Sequence, residues 1–322
     1  MRRFVLLILV LALVMPGCSL ITVNVRPGLE PLEEKVLSGG KGGAKVLLIA
    51  IEGVISEERE KSGPLSLKEE VGMIPLLTEE LDKAAKDDAV KAVVLKVNSP
   101  GGAVTASDII YHELISFKRR TSKPLVVVMT GLAASGGYYV SCAADRIIAH
   151  PTTITGSIGV LALKISAADL LNKIGVANET ITAGDKKDMV SPLRPLTAEE
   201  RVIFKGIIDD LDARFLEVVR LARKPRPDQI ATFSDARILD AAMALKLGLV
   251  DKLGYMDDAI EEAKDLAKIE DARVVTYARP GQYRNNIYSV TGPPKEPTML
   301  GFDTQWLSSF TPGVHFMYLW TP

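Results

Sequence analysis

Short apolar runs alternate with longer amphipathic stretches through the middle of this chain. Lys45 to Ile55, Val90 to Val97, Leu125 to Met129 and Arg146 to Ala149 are brief and mostly apolar, which predicts strands. Leu67 to Lys86, Ala106 to Arg120 and Tyr138 to Asp145 read as helices. Pro75 marks a restart in the first of these, and Thr105 is a plausible N-cap for the second. Thr197-Ala-Glu-Glu200 is a capping box. It opens a long helix with Phe204, Ile207, Ile208, Leu211, Phe215, Val218, Val219 and Ala222 on one face. Ile238 to Leu247 and Asp257 to Lys268 look helical, and Ala272 to Tyr277 looks like a late strand. Strands alternating with helices at this spacing predict βαβ units, hence an α/β fold with a mostly parallel sheet.

Both ends break this pattern. Arg2 and Arg3 precede an apolar run from Phe4 to Met15, followed by Gly17-Cys18. That is the layout of a signal peptide, and the run is too short for a comfortable membrane span. A small residue before Cys18 resembles a bacterial lipoprotein cleavage site with Cys18 as the acylated residue, although Met15 and Pro16 depart from the usual pattern there. Arg26 to Ala44 reads as a tether, and Arg279 to Met299 as a loose tail ending in the aromatic segment Trp306 to Trp320. The expected organisation is a signal peptide over 1–17, a tether over 18–44, a catalytic domain over 45–278 and a C-terminal extension over 279–322.

Composition narrows the class. The chain has 322 residues, 47% of them hydrophobic, and a net charge of −1. That is enough for a substantial core and gives no sign of nucleic-acid binding. Apart from Cys18 the only cysteine is Cys142, so no intrachain disulfide is expected after processing. Cys142, in the third predicted helix, reads as a buried structural thiol.

Candidate chemistry gathers at two strand ends. Met129-Thr-Gly-Leu-Ala-Ala-Ser135-Gly-Gly-Tyr-Tyr139 places a serine between a buried strand and a helix. Such a corner exposes a hydroxyl at the top of a sheet with backbone N–H groups beside it. Alone, the stretch fits an ordinary helix-capping serine equally well. Asn98-Ser-Pro-Gly101-Gly102 forms a second small-residue corner, whose N–H groups near a helix start suit an oxyanion. Two such corners at the carboxyl ends of successive strands strengthen the case, because ligands of α/β sheets bind at that edge. A nucleophile needs a base. Of the three histidines, His112 lies in a charged helix, His150 ends a strand before Pro151 and His315 is in the tail. None compels a triad. A lysine can serve if burial lowers its pKa from about 10.4. Lys186 and Lys187 are candidates, although adjacent lysines are usually a solvated turn.

Taken in order, Asn98-Ser-Pro-Gly-Gly102, Ala134-Ser135-Gly-Gly-Tyr-Tyr139, Thr155-Gly-Ser157-Ile-Gly-Val160, Lys187-Asp188 before Ser191-Pro192, and Gly248-Leu-Val-Asp251-Lys-Leu-Gly254 resemble the signal peptide peptidase A family in its short, single-repeat form. The resemblance covers about Lys45 to Lys268. It implies a Clp-protease/crotonase-type ββα superhelix. It maps the nucleophile onto Ser135, the general base onto Lys187 rather than Lys186, and a lysine-orienting serine onto Ser157. Gly101, Gly102 and Gly136 line the expected oxyanion site. The resemblance also implies a homo-octamer whose serine and lysine come from neighbouring copies, with no cofactor or metal. Expected substrates are remnant signal peptides and unfolded exported peptides, at the extracytoplasmic face of a bacterial envelope.

Two other functions fit parts of the sequence. A crotonase-like acyl-CoA hydratase or isomerase would use the same oxyanion corners, but an export signal and a Ser/Lys pair argue against it. A catalytically silent scaffold or protease regulator is disfavoured by the intact Ser135 and Lys187.

Overall fold

Strands that are apolar on both faces belong in the middle of a sheet covered on both sides. A computed structural model of the chain describes residues 30–40, 42–57, 71–289 and 315–320 and places the apolar runs in that way. The expected signal peptide and Cys18 lie outside the described residues.

In chain order the elements are β1 (Glu33–Ser38), β2 (Lys45–Glu52), α1 (Met73–Lys86), β3 (Val90–Ser99), β4 (Gly101–Ala103), α2 (Val104–Thr121), β5 (Leu125–Ala134), α3 (Gly136–Ser141), β6 (Arg146–Ala149), β7 (Ile154–Gly156), β8 (Leu161–Leu163), α4 (Ala168–Lys173), α5 (Ala198–Arg223), α6 (Pro227–Phe233), β9 (Ile238–Asp240), α7 (Ala241–Lys246), β10 (Lys252–Leu253), α8 (Met256–Ala267), β11 (Arg273–Ala278) and β12 (His315–Leu319). The main sheet runs β1-β11-β2-β3-β5-β6-β10, with β7 beside the end of β5 and β9 beside β7. From β11 to β10 every pairing is parallel; β1 and β9 pair antiparallel. The fold is therefore α/β with a largely parallel sheet, as the alternation of runs predicts.

The period of two along each strand sorts the core into two layers. Leu47, Ile49 and Ile51 of β2, Val93, Leu95 and Val97 of β3, and Val127 and Met129 of β5 face one side, with buried residues of α1, α2, α3 and α5. Val46, Leu48, Ala92, Val94, Val126 and Val128 face the other, where α8 brings Met256, Ala259, Ile260 and Ala263. These four α8 positions are one helical stripe. Each large side chain fully buried here contributes about 1.5–3 kcal/mol.

The capping box of α5 forms as predicted: Thr197 Oγ1 accepts from the Glu200 N–H, and the Glu200 carboxylate accepts from the Thr197 N–H. Other local expectations change. Thr105 lies inside α2, which begins without a side-chain cap. Ile238–Asp240 is a strand rather than a helix start, because it pairs with β7. Within the stretch read as a tether, Glu33–Ser38 pairs antiparallel with β11 and closes that edge of the sheet. Within the extension read as loose, His315–Leu319 is a strand inserted between β4 and β8.

Candidate active site

Both small-residue corners stand at the carboxyl ends of neighbouring parallel strands, β3 and β5, paired from Val93↔Leu125 through Ser99↔Ala133. The first is pinned from within. Ser99 Oγ donates to the Gly53 carbonyl at 2.6 Å and accepts from the Gly101 N–H at 3.1 Å. Ile55 then brackets the glycines: its N–H donates to Gly101 O, and its carbonyl accepts from Ala103 N–H, both at 2.8 Å. A Cβ on Gly102 would stand 1.9 Å from the Ile55 oxygen, so no other residue fits that place. Gly101 has φ +98°, which a side chain would strain.

Ser135 occupies the second corner. Its φ of 53° is unusual for a non-glycine residue and marks a held conformation. Its N–H donates to Gly156 O at 2.8 Å, and its carbonyl accepts from Tyr139 N–H at 2.9 Å, so β7 and α3 fix it from both sides. The two corners touch backbone to backbone. A Cβ on Gly101 would lie 2.6 Å from Gly136 N, and one on Gly137 would lie 2.7 Å from Ser99 O. This is why the sequence is small at both corners. Ser135 is buried, at 1% exposure, and its Oγ has no hydrogen-bond partner among the described residues. A buried hydroxyl without a partner is costly and calls for a functional explanation.

Ser157 follows the carbonyl that holds Ser135. It too has positive φ, at 50°, it is buried, and its N–H donates to Arg237 O at 2.8 Å. Gly136 begins α3 beside Gly101. The Gly101 N–H is engaged by Ser99, so this glycine supplies room rather than a free donor.

Lys187 lies elsewhere. It sits on an exposed turn closed by its own N–H to Gly184 O, and no hydrogen bond joins it to Ser135. Neighbouring Lys186 pairs with Glu199, whose carboxylate raises its pKa. Asp188 and Glu200 are bridged by Arg194, which donates to both carboxylates at 2.6–2.9 Å. The guanidinium lowers both acids, Glu200 to about 2. The clamp ties the Lys187 turn to the start of α5. Sequence reasoning did not single out Arg194. Its position six residues after Asp188 and before Glu200 was visible, but no local rule pairs residues across such a loop.

The histidines play no part at Ser135. His112 is near Ser116 and His150 contacts Thr152. Cys142 is buried, and burial pushes its thiol up to about 12, as suits a structural residue. Among the described residues no helix is long and apolar enough to cross a membrane.

Comparison with known proteins places this geometry. Residues 117–270 match the model of peptidase family S49, and residues 69–155 match that of Clp protease. With the largely parallel sheet, the second match gives a Clp-protease type of fold. A putative signal peptide peptidase SppA of Enterococcus faecium is 35% identical over 250 residues, covering 78% of this chain and 72% of the relative. Protease 4 of Salmonella typhi is 40% identical over 187 residues, covering 58% of this chain but 30% of that longer protein. The chloroplastic serine protease SPPA of Arabidopsis thaliana is 31% identical over 260 residues, covering 80% and 37%. Among solved structures, a ClpP1 mutant from Listeria monocytogenes aligns with TM-score 0.41 and 18% identity over 68% of this chain and 95% of its own. The chain belongs to peptidase family S49, the signal peptide peptidase A family of serine peptidases.

Proposed function

We propose that this protein is a membrane-tethered serine endopeptidase with a Ser135/Lys187 dyad, degrading remnant signal peptides and unfolded exported peptides. One observation carries the reading: a buried Ser135 hydroxyl, unpartnered, on a strained turn packed against a second glycine corner. That is the arrangement of a nucleophile waiting for its base and its carbonyl.

In this reading Ser135 Oγ bonds to the scissile carbonyl carbon while its proton passes to the Lys187 amine. N–H groups of Gly102 and Gly136 hold the oxyanion. The C–N bond then breaks, and the leaving amine takes the proton from Lys187. Water, losing a proton to the same amine, cleaves the ester and frees the serine. Ser157, one residue beyond the carbonyl that holds Ser135, orients the amine.

The dyad is shared between copies. Within one chain no hydrogen bond links Lys187 to the serine, and the surface around the lysine turn is unusually apolar. Ile165, Leu170, Ile174, Ile181 and Val202 are all more than half exposed, Ile181 at 97%. A contiguous apolar surface of this kind suits a partner, here a second copy in a ring of eight. Cys18 carries the lipid anchor at the extracytoplasmic membrane face.

Fluorophosphonate labelling of the full chain tests the reading. The expected result is a single adduct, mapped by mass spectrometry to Ser135 and absent from Ser135→Ala. No adduct, or one on another serine, overturns it.

A further inference from the structure

β12 fills a gap between two strands that flank the nucleophile. β4, the glycine corner, pairs with it antiparallel through Leu319↔Gly101, Tyr318↔Gly102 and Met317↔Ala103. β8 pairs with its other edge through Met317↔Leu161, Phe316↔Ala162 and His315↔Leu163. The Trp320 N–H continues the ladder to Pro100 O at 2.9 Å. Remove β12 and two short strand edges face each other across a groove beside Ser135. Such edges bind extended peptide by adding a strand, with affinity from the main chain and selectivity from pockets under alternate side chains.

The register of the occupant is informative. The Tyr318 carbonyl oxygen lies 1.9 Å from where a Gly101 Cβ would stand and 3.1 Å from where a Gly136 Cβ would stand. That carbonyl therefore sits at the junction of the two corners, where a scissile carbonyl belongs. The Tyr318 side chain, fully buried, drops into an aromatic pocket. Its ring stacks on Tyr139 at 5.1 Å between centroids and tilts against Phe215 at 4.7 Å. Tyr111 packs edge-on behind Tyr139. At the far end of the pocket the Tyr318 hydroxyl donates to the Leu211 carbonyl at 3.0 Å. Two residues earlier, on the same strand face, Phe316 meets Phe204. One stripe of α5, through Phe204, Leu211 and Phe215, thus lines the floor of the groove.

We infer that the groove between β4 and β8 is the substrate cleft, that its primary pocket selects an aromatic residue, tyrosine foremost, on the amino side of the scissile bond, and that β12 is the chain's own occupant of that cleft. This rests on Ser135 being the nucleophile. The physical basis is direct. Aromatic walls reward a flat ring with stacking beyond its buried area. An acceptor at the pocket end distinguishes tyrosine from phenylalanine, because a phenol makes a hydrogen bond that phenyl cannot. A carboxylate there would be desolvated without a partner. Being tethered, β12 competes with free peptides at a high effective concentration.

Three forms of the protein test this: the full chain, a chain lacking residues 315–322, and full-length Tyr318→Asp, which drives a charge out of the pocket without shortening the chain. Each is melted to confirm folding, labelled with fluorophosphonate, and assayed on fluorogenic peptides that differ only in Tyr, Phe, Leu, Ala or Asp before the cleaved bond. We expect both altered chains to hydrolyse the Tyr peptide at least tenfold faster than the full chain, on the order of tethered competition. We expect Tyr over Ala by roughly 100-fold and Tyr over Phe by several-fold in kcat/KM. If Ser135 is labelled and peptides are cut, but there is no aromatic preference or no acceleration, this inference falls while the Ser135 assignment stands. If the altered chains do not fold, the preference of the full chain alone decides. If no form is labelled at Ser135, the parent assignment falls and takes this inference with it.

Discussion

Around Ser135 the neighbours are backbone: Gly156 O and Tyr139 N–H as hydrogen-bond partners, Gly101 and Gly136 in contact. Around Lys187 they are side chains and solvent, with the turn fastened to α5 by the Arg194 clamp. The serine corner is over-determined, since its positive φ persists only because strand, helix and glycine corner all demand it. The lysine turn is set by one guanidinium between two carboxylates. The difference teaches how the proposed site is divided. A nucleophile needs placement against an oxyanion site that the same chain supplies. A base presented on an outward turn can be supplied to another copy, provided that the turn itself is rigid.

The sharpest break in this comparison is Ser135→Ala. It should lower peptide hydrolysis by on the order of 10⁴-fold or more, because the covalent route is gone. The melting temperature should hold or rise slightly, since the change removes a buried hydroxyl that has no partner. Activity at a tenth of the wild-type rate in a folded variant would show that another residue is the nucleophile.

Next in size is the lysine pair. Lys187→Ala and Lys187→Arg should both fall by about 10³-fold or more, the second because a guanidinium cannot take a proton in this range. Lys186→Ala should retain most activity, since its ammonium is committed to Glu199. Steady-state kinetics on one peptide separates them, and the reverse order would place the base one residue earlier.

Loosening the clamp should act through the lysine. Arg194→Met should cost about 10²-fold in kcat, the scale of a small misplacement of a catalytic group, with little change in melting temperature. The clamp also has a pH signature. Arg194 holds the Asp188 and Glu200 pKa values below their unfolded ones, so its contribution is complete above the ordinary carboxylate range. It is lost as pH falls from about 4.5 towards about 2, where Glu200 protonates. Limited proteolysis across the Lys187 turn should therefore quicken below pH 4.5 in the wild type. In Arg194→Met it should be fast at neutral pH already. A turn equally resistant in both would mean that the clamp does not hold it.

The sequence made one half of this comparison far easier to read than the other. Strand β3 and the run of small residues after β5 are local patterns, and both corners were legible from them. So was the capping box of α5, where Thr197 and Glu200 lie one turn apart. What escaped was long-range. The β1 pairing with β11 depends on a partner more than two hundred residues away, in a stretch whose Gly and Pro content suggested only a tether. The β12 strand was flagged only as aromatic, although Phe316-Met-Tyr318 has the alternation of a strand, because nothing local identifies the two edges it fills. Arg194 escaped because a guanidinium bridging two carboxylates across a loop leaves no periodic trace. Ser157 and Lys187 were reached only through the family resemblance, since neither spacing nor composition links them to Ser135.

The division of the dyad between copies is the central claim, and complementation tests it most directly. Ser135→Ala and Lys187→Ala, each inactive alone, are refolded together in equal amounts. Their native mass is measured alongside hydrolysis of one peptide. If serine and lysine come from neighbouring copies, an oligomeric mass should accompany recovery of activity at about one site in four, the share of random interfaces that carry both intact residues. A monomeric mass with no recovered activity would contradict the account.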